Sequence, residues 1–403
     1  MQNRISDSWP GGDNVAANGF AKSLKSFDID VIQRNIYSFS SKEFNVVLSW
    51  NINYFWVLSH LINAKLNNKP FIIFALSTNV NDKNYQKLIV DYADGIIFLS
   101  PTERRDLSNY LGKSIPENKS FYVEVGVDNY FQSKSIGDKR GVLCVGRIER
   151  RKNQLSLIKA CIKLNLPLTI VGYVADQEYF QICMKEVEDS QNIKFISYVS
   201  RSELKRLYLQ NKVVANVAFF EPWGLTIREG GLANCNILMT KKTHVKAEYP
   251  QVWWCNPDSL SDIIKNLKLA YKSPNSFRFG DYICDHYSWK NQTKKLAEVI
   301  RKIVSIKPIK LKSNDWKKIL ETMNSQVGKL NTDLQTKNKL VNELHIENMN
   351  KQLAIEELQK TGMEKQTAIE NLREYENENK TFQKSFWYKI CPYFNNKNSR
   401  IEK

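Results

Sequence analysis

The feature that most constrains the fold is a series of short apolar runs separated by stretches with helical periodicity. Such runs are typical of strands in a parallel sheet, because helices cover both faces of that sheet. The pattern occurs twice along the chain, and it predicts an α/β protein of two doubly wound domains that face each other across a cleft. The runs interpreted as strands are 45–50, 70–76, 94–100, 119–125, 141–146, 166–172, 193–198, 212–220 and 236–240.

The domain boundaries follow from the two halves of this pattern. Residues 1–135 form the predicted first domain and residues 136–305 the second, with a linker at 135–140. In doubly wound sheets, ligands bind outside the carboxyl ends of the strands. The cleft between the two domains is therefore the expected binding site.

The third part of the chain, residues 310–385, carries apolar residues at heptad spacing instead. With Leu320 at position a, eleven of the sixteen a and d positions over eight heptads are apolar. The pattern predicts a long α-helical coiled coil, and a single solvated helix folded back on the body is the alternative. A coiled coil predicts a homo-oligomer held through residues 316–376.

The last stretch, residues 386–403, mixes aromatic side chains with Lys and Arg. This mixture suits a bilayer surface, so residues 386–400 are expected either to contact a membrane or to pack on another chain. The net charge of +17 favours polyanionic partners such as nucleotide phosphates and anionic lipids. Nucleic acid is not an expected partner, because the sequence has no recognised nucleic-acid-binding motif.

Cysteine usage and hydropathy indicate the compartment. Seven scattered cysteines without a CxxC pair indicate reduced thiols rather than disulfides or a zinc site. The sequence has no apolar run of about 18 residues, and its first residues lack the apolar core of a signal peptide. The expected location is the cytoplasm, with a peripheral position at the inner face of the cell membrane as a further option. No metal and no cofactor are expected.

Two cations follow the first strand of the second predicted domain. This strand, 141–146, ends at Gly146, and Arg147 and Lys152 come directly after it. At the carboxyl end of a buried strand, an Arg fork and a Lys point charge can hold a diphosphate. A solvated basic loop is the alternative interpretation.

Two acids stand eight residues apart in the stretch EPWGLTIREGGLAN, residues 221–234. Glu221 lies at the end of a predicted strand, and Glu229 lies in the first turns of a helix that is predicted to begin near Leu225 or Thr226. Unpaired amides at a helix start favour an anion. An acid beside a bound phosphate is explained if it contacts sugar hydroxyls, whereas a complement to the helix dipole is the alternative.

Two adjacent glycines, Gly230 and Gly231, lie inside the same predicted helix. Each costs about 1 kcal/mol in a helix relative to Ala. We expect them to let the helix lie close to the neighbouring strand or to the ligand.

Together these stretches resemble the family 4 retaining glycosyltransferases of the GT-B fold, whose Glu-x7-Glu motif stands here as EPWGLTIREGGLANCNIL. The resemblance covers about residues 5–305 and does not extend to the coil. It implies two Rossmann-like domains, with the acceptor side in the first and the nucleotide-sugar site in the second. The other matching segments are PGGDNVAANGFAKSL, ADGIIFLSPTERRDL, VEVGVDNYF, GVLCVGRIERRKNQLSLIKA, LTIVG, NIKFISYVSRSELKRLY and YSWKNQTKKLAEVI.

The resemblance also implies roles for individual residues. Arg147 and Lys152 would bind the donor diphosphate, Glu221 would lie against the transferred sugar, and Glu229 would bind the nucleotide ribose. These first three would be the catalytic residues. The implied donor site is completed by Gly11, Gly12, Gly146 and the amides of Gly224, Leu225 and Thr226.

The implied reaction is a metal-independent transfer of a hexosyl group with retention of anomeric configuration. The donor would be a UDP- or GDP-linked sugar, used as a co-substrate. The acceptor would be a glycan, a lipid-linked molecule or a protein, in bacterial surface polysaccharide or glycoconjugate synthesis.

The sequence departs from the family pattern at several places, one of which is Gly230, where the family has Ala after the second Glu. The usual helix-ending Gly is Asn234 here, and Asn is the next-best residue in the left-handed conformation. Many relatives carry a His after the strand that is followed here by Ala75, Leu76 and Ser77. None of the four histidines is an evident replacement; they are His60, His244, His286 and His345.

Two rival functions remain open from the sequence. A metal-dependent Asp-x-Asp transferase would use Asp28 and Asp30, which lie between a predicted helix and a predicted strand. A non-catalytic, transferase-like scaffold would assemble its partners through the coiled coil.

Overall fold

The protein divides into two compact units, Met1–Lys312 and Ser313–Lys403. Gly11, Ser77 and the tail 386–403 lie outside the residues that the structure describes. The residues that this computed structural model describes are 12–32, 44–53, 56–76, 82–188, 190–245, 249–361, 373–374 and 376–378.

The first unit contains two parallel sheets, and the first of them has four strands in the order β1-β2-β3-β4. A helix connects each strand to the next along most of this sheet, as parallel pairing requires. The elements are α1 (Gly12–Leu24), β1 (Val47–Trp50), α2 (Val57–Leu66), β2 (Phe71–Phe74), α3 (Lys83–Tyr92), β3 (Gly95–Phe98), α4 (Pro101–Leu111) and β4 (Ser120–Tyr122).

The second sheet has six strands in the order β10-β9-β8-β5-β6-β7, and all of its neighbouring strands are parallel. The order reverses beside β5, which is where ligands bind in doubly wound sheets. The elements are β5 (Val142–Val145), α5 (Gln154–Leu164), β6 (Leu168–Val171), α6 (Gln177–Glu186), β7 (Ile193–Ile196), α7 (Arg201–Gln210), β8 (Val213–Asn216), α8 (Leu225–Leu232), β9 (Asn236–Thr240), β10 (Val252–Cys255), α9 (Leu260–Lys272), α10 (Arg278–Tyr287) and α11 (Trp289–Val304).

The predicted two-sheet α/β fold is confirmed, with two differences in the strands. β10 was not predicted; it is an edge strand whose residues are mostly half-buried, so its sequence lacks a clear apolar run. The predicted strand 212–220 is shorter in the structure, where β8 ends at Asn216. The Asn216 side chain accepts a hydrogen bond from the amide of Ala218 at 3.2 Å, which turns the chain out of the sheet.

The last helix of the first unit, α11, returns to the first sheet. It packs against α1 in an apolar cluster that also holds residues of β1 and β2. Trp289, at the start of α11, lies so close to Gly19 that a Cβ there would be 2.2 Å from the indole. The chain therefore crosses back from the second sheet to the first.

The second unit begins with one long helix, α12 (Ser313–Thr361), of 49 residues. Leu320, Val327 and Leu334, three of the predicted a positions, are 57%, 51% and 38% exposed. Across the residues that the structure describes, no helix is both long enough and apolar enough to cross a membrane.

Candidate functional site

The stretch with Arg147 and Lys152 and the stretch with Glu221 meet at the carboxyl ends of β5 and β8. These two strands are neighbours in the second sheet. Glu221 lies five residues beyond the end of β8, and the chain after β9 holds its backbone. The Glu221 amide donates to the Lys242 carbonyl at 3.0 Å, and the Thr243 hydroxyl donates to the Glu221 carbonyl at 2.5 Å. Strands β8 and β9 thus both determine where this carboxylate lies.

Lys152 and Glu221 form a buried ion pair at this edge. The distance from Lys152 Nζ to Glu221 Oε2 is 2.6 Å, and Asn216 Nδ2 donates to the same oxygen at 2.8 Å. Burial alone would raise the pKa of Glu221. The Lys152 ammonium and the hydrogen bonds from Lys152 and Asn216 outweigh burial and hold this pKa at about 2. Glu221 is therefore a carboxylate at any working pH.

The start of α8 lies against the other oxygen of the same carboxylate. Glu221 Oε1 accepts long hydrogen bonds from the amides of Gly224, at 3.3 Å, and Trp223, at 3.4 Å. Gly224 precedes the helix with a left-handed φ of 63°, which a glycine adopts without strain. Helix α8 begins at Leu225, as predicted, so Leu225 and Thr226 present amides that have no partner within the helix.

The backbone at Gly146, where β5 ends, lies in close contact with Gly172. A Cβ on Gly172, which follows β6, would lie 1.9 Å from the Gly146 carbonyl oxygen. A Cβ on Gly146 itself would lie 3.6 Å from Cε of Lys152, so the Lys152 stem passes beside this glycine. The chain thus turns tightly here, and Lys152 reaches Glu221.

Arg147 lies near this edge but does not join the buried ion pair. Its guanidinium is exposed and pairs with Glu149 at 3.2 Å. The Arg147 carbonyl accepts a hydrogen bond from Gln154 Nε2 at 2.7 Å, which fixes the backbone of the loop. The Arg147 side chain can therefore exchange Glu149 for an anionic ligand without disturbing the core.

Arg151 is a site residue that the sequence interpretation missed. It donates to the Phe220 carbonyl at 2.7 Å and pairs with Glu149 at 2.9 Å. These contacts join the loop after β5 to the residue before Glu221. The run of basic residues hid this role, because nothing in the sequence distinguishes Arg151 from its solvated neighbours.

Glu229, the second acid of the motif, has a different environment. Tyr208, from α7, donates from its hydroxyl to Glu229 Oε2 at 2.8 Å. The residue is half-buried. Burial raises the pKa of Glu229 to about 7, against the opposing effects of the Tyr208 hydrogen bond and the Arg201 charge.

The two glycines of α8 lie against neighbouring elements. A Cβ on Gly230 would be 2.6 Å from Cγ2 of Val214 in β8, and a Cβ on Gly231 would be 2.4 Å from Cδ1 of Phe279 in α10. The predicted close approach of the helix to a strand is confirmed, and it extends to a second helix.

Arg228, also missed from the sequence, joins α8 to the first sheet. Its buried guanidinium pairs with Glu124, donates to the Val125 carbonyl at 2.8 Å and stacks on the Tyr287 ring at 4.2 Å. Its Nη2 also donates to Tyr249 Oη at 3.0 Å. The orientation of the helix that carries Glu229 therefore depends on contacts with the segment after β4.

The remaining predicted residues belong to the first part of the chain. Gly12 is the first residue of α1, and Asp28 and Asp30 are exposed in the segment between α1 and β1. Among the described residues, no group of three or more His, Cys, Asp or Glu side chains is arranged to hold a metal ion.

Two of the histidines are buried near the first sheet. His60 Nδ1 and the Ser49 hydroxyl are 2.9 Å apart. His244 lies 3.4 Å from a carboxylate oxygen of Asp106 in α4. His244 follows Thr243, which bonds the Glu221 carbonyl, so it lies one residue from a backbone contact of the site.

A comparison with families of known proteins identifies the part of the chain that contains the second sheet. Residues 127–276 match the family described as Glycosyl transferases group 1. This stretch is a glycosyl transferases group 1 domain. The group 1 domain runs from before β5 to the end of α9, and it contains every site residue from Gly146 to Glu229.

A curated relative agrees with the group 1 match. An uncharacterized glycosyltransferase of Methanocaldococcus jannaschii is 25% identical over 189 residues, which are 42% of this chain and 47% of the relative. The matched region thus spans about half the length of the curated relative.

Solved structures extend the likeness to both sheets. A sucrose-phosphate synthase from Thermosynechococcus elongatus has a TM-score of 0.63 at 13% identity, covering 74% of this chain and 96% of that one. The apo form of a lipopolysaccharide outer core galactosyltransferase has a TM-score of 0.56 at 14% identity, covering 72% and 96%. At such identities the likeness shows the fold alone, and it confirms the predicted GT-B architecture.

Proposed function

We propose that the protein is a retaining, metal-independent glycosyltransferase of family 4, which uses a UDP- or GDP-linked sugar as its donor. The observation that carries this proposal is the Lys152–Glu221 ion pair at the start of α8, inside a group 1 domain. A cation, a carboxylate and unpaired helix amides at one sheet edge suit a ligand that carries both phosphate and hydroxyl groups.

The proposed mechanism assigns charge stabilisation to fixed protein groups. Breaking the anomeric C–O bond places positive charge on the sugar and negative charge on the departing diphosphate. Lys152, Arg147 and the first amides of α8 would stabilise the diphosphate as it leaves. Glu221 would lie against the transferred sugar, where its carboxylate would be beside the developing positive charge.

Binding of the donor would rearrange two existing contacts. Arg147 now pairs with Glu149 at an exposed position, and Lys152 pairs with Glu221. A diphosphate offers both cations a stronger anionic partner. Glu229 would accept hydrogen bonds from the ribose, and Gly11, Gly12 and Gly146 would allow the donor a close approach.

Replacing Arg147 tests the diphosphate assignment. Arg147→Ala should lower turnover at least about tenfold, because it removes one charge-assisted contact to the leaving group. Arg140→Ala is the matched control, since Arg140 is also exposed and pairs with an acid, Asp138, at 3.1 Å. Measured release of the nucleoside diphosphate should be unchanged in the control. Equal rates in both variants would remove Arg147 from the site.

Replacing each of the two glutamates should affect a different quantity, nucleotide binding for one and turnover for the other. Glu229→Ala should mainly weaken nucleotide binding, because a ribose contact exists in ground and transition states alike. Glu221→Ala should mainly lower turnover. Titration calorimetry and steady-state kinetics giving the reverse pattern would exchange the two roles.

Treatment with EDTA tests independence from metal. Activity should survive, whereas a loss that manganese restores would favour the Asp28 and Asp30 rival. A donor that binds without any turnover would favour the non-catalytic scaffold.

We further propose that α12 and the residues after it assemble a homo-oligomer through 316–376 and place the tail 386–400 at a membrane surface. The exposed apolar residues of α12 support the first part. The tail is supported by its sequence alone. Equal binding to anionic vesicles with and without residues 385–403 would contradict the membrane contact.

A further inference from the structure

We propose that Tyr208 is the positioning residue of the nucleotide site: it occupies one oxygen of Glu229 and leaves the other oxygen to the ribose. This inference rests on the proposed function and adds a residue to it. Tyr208 Oη donates to Glu229 Oε2 at 2.8 Å. Among the residues that the structure describes, Glu229 Oε1 has no hydrogen-bond partner.

Packing around the ring and hydrogen bonds to the backbone carbonyl fix the position of Tyr208, and therefore the position of its hydroxyl. The side chain is fully buried, and its ring meets the Phe131 ring edge to face at 5.5 Å. Its carbonyl accepts from Lys139 Nζ at 2.8 Å and from the Cys235 thiol at 3.0 Å. A side chain fixed by packing and by backbone contacts can fix the group it bonds.

The Tyr208 hydroxyl also remains a donor at every working pH. Burial and the neighbouring Glu229 carboxylate raise the pKa of Tyr208 well above 10, so it keeps its proton. A permanent donor stabilises the ionised form of Glu229, because a carboxylate accepts hydrogen bonds better than a protonated carboxyl.

Three groups influence the charge of Glu229 from the elements around it. Tyr208 and Arg201 of α7 favour the carboxylate, and Asp128, on the segment before β5, disfavours it. Arg201 and Asp128 pair with each other, so their charges largely cancel at this site. The Tyr208 hydroxyl is therefore the contact whose removal should change Glu229 most directly.

The consequence is a pH-dependent affinity for the nucleotide. Above a pH of about 7, Glu229 is ionised and accepts from a ribose hydroxyl. Below that pH, the carboxyl gains a proton and accepts less strongly. Removing the Tyr208 hydroxyl raises the pKa of Glu229 further, so the pH at which affinity is lost moves upward.

The test is titration calorimetry of UDP and GDP against the full chain between pH 5.5 and 9, a range of about 1.5 to 2 units on either side of the pKa. Tyr208→Phe should weaken binding about five- to tenfold at pH 7.5 and shift the affinity profile to higher pH. Glu229→Gln should remove the pH-dependent step, and Tyr208→Phe should have no further effect in that background.

The matched control is Tyr271→Phe. The Tyr271 hydroxyl is also hydrogen-bonded, but as the acceptor from the Gly141 amide at 3.2 Å, at the amino end of β5 and away from the site. This variant should keep the wild-type affinity and pH profile, which also accounts for titration of the nucleotide's own phosphate.

The possible outcomes distinguish a failure of the proposed function from a failure of the role of Tyr208. Wild-type chain that binds neither UDP nor GDP would overturn the proposed function, and the role of Tyr208 with it. Wild-type binding with the same pH profile in Tyr208→Phe and Tyr271→Phe would overturn the role of Tyr208 alone. An effect of Tyr208→Phe that persists in the Glu229→Gln background would show that Tyr208 does not act through Glu229.

Discussion

At the scale of single residues, the two motif glutamates differ in the partners of their carboxylates. Glu221 has a lysine and an amide donor on one oxygen, and its pKa falls to about 2. Glu229 has a neutral hydroxyl, and its pKa rises to about 7. One carboxyl is therefore suited to stabilise positive charge, and the other responds to pH in the physiological range.

This difference predicts opposite effects of pH on stability. A lowered pKa stabilises the folded state at high pH, so the difference in unfolding free energy between wild type and Glu221→Gln should fall by about 3 kcal/mol as pH falls from 6 towards 2. A raised pKa does the reverse, so wild type should lose stability relative to Glu229→Gln as pH rises from 4.5 to 7.

Urea unfolding of both variants across this pH range measures the two differences. Because the same carboxyl-to-amide change is made at both positions, each variant serves as the control for the other. For each variant, the quantity to follow is the unfolding free energy of wild type minus that of the variant. If this difference changes with pH in the same direction for both variants, the assigned environments are wrong.

The sequence predicted the charged residues of the site better than the residues that hold them. Arg147 and Lys152 belong to one recognisable stretch and Glu221 to another, and the structure places all three at one edge of the sheet. Tyr208 and Arg228 act through contacts with elements distant in the chain, and no local pattern reports such contacts. Lone polar residues within helices therefore carried no signal.

At the scale of elements, α8 shows why a short helix tolerates two glycines. The helix packs so closely on β8 and α10 that side chains at Gly230 and Gly231 would overlap Val214 and Phe279. The sequence predicted this close approach from the cost of glycine in a helix. It could not predict β10, because a half-buried edge strand lacks both the alternating and the continuous apolar pattern.

Gly230→Ala should therefore destabilise the protein by about 1–3 kcal/mol through overpacking, although Ala favours a helix. Gly328→Ala is the matched control in α12, because a Cβ there would meet nothing within 4 Å. This control should leave stability unchanged or raise it by up to about 1 kcal/mol. Thermal unfolding measures both, and a Gly230→Ala protein as stable as wild type would contradict the packing.

At the scale of the whole molecule, helix α12 is the element that bears on oligomerisation. A helix of 49 residues is about 74 Å long, and it exposes two sets of apolar residues. Leu320, Val327 and Leu334 follow the predicted heptad seam, whereas a second set lies outside it. The second set consists of Ile346, Met349 and Leu353.

The seam residues should hold the oligomer. Replacing Leu320, Val327 and Leu334 with Lys in the full chain should give a monomer, because the seam then carries unpaired charge. The same replacement at Ile346, Met349 and Leu353 is the control and should leave the oligomer intact. Light scattering measures the mass. A monomeric wild-type chain, or equal effects of the two triple variants, would contradict assembly through the heptad seam.

The most direct test of the proposed reaction is the anomeric configuration of its product. The full-length chain is incubated with UDP- and GDP-sugars, and proton NMR follows the anomeric signal of the sugar as the nucleoside diphosphate is released. We expect the configuration of the donor to be retained, and we expect Lys152→Ala and Glu221→Gln to lose the signal of the product. An inverted product, or undiminished turnover in both variants, would contradict retaining transfer at the Lys152–Glu221 edge.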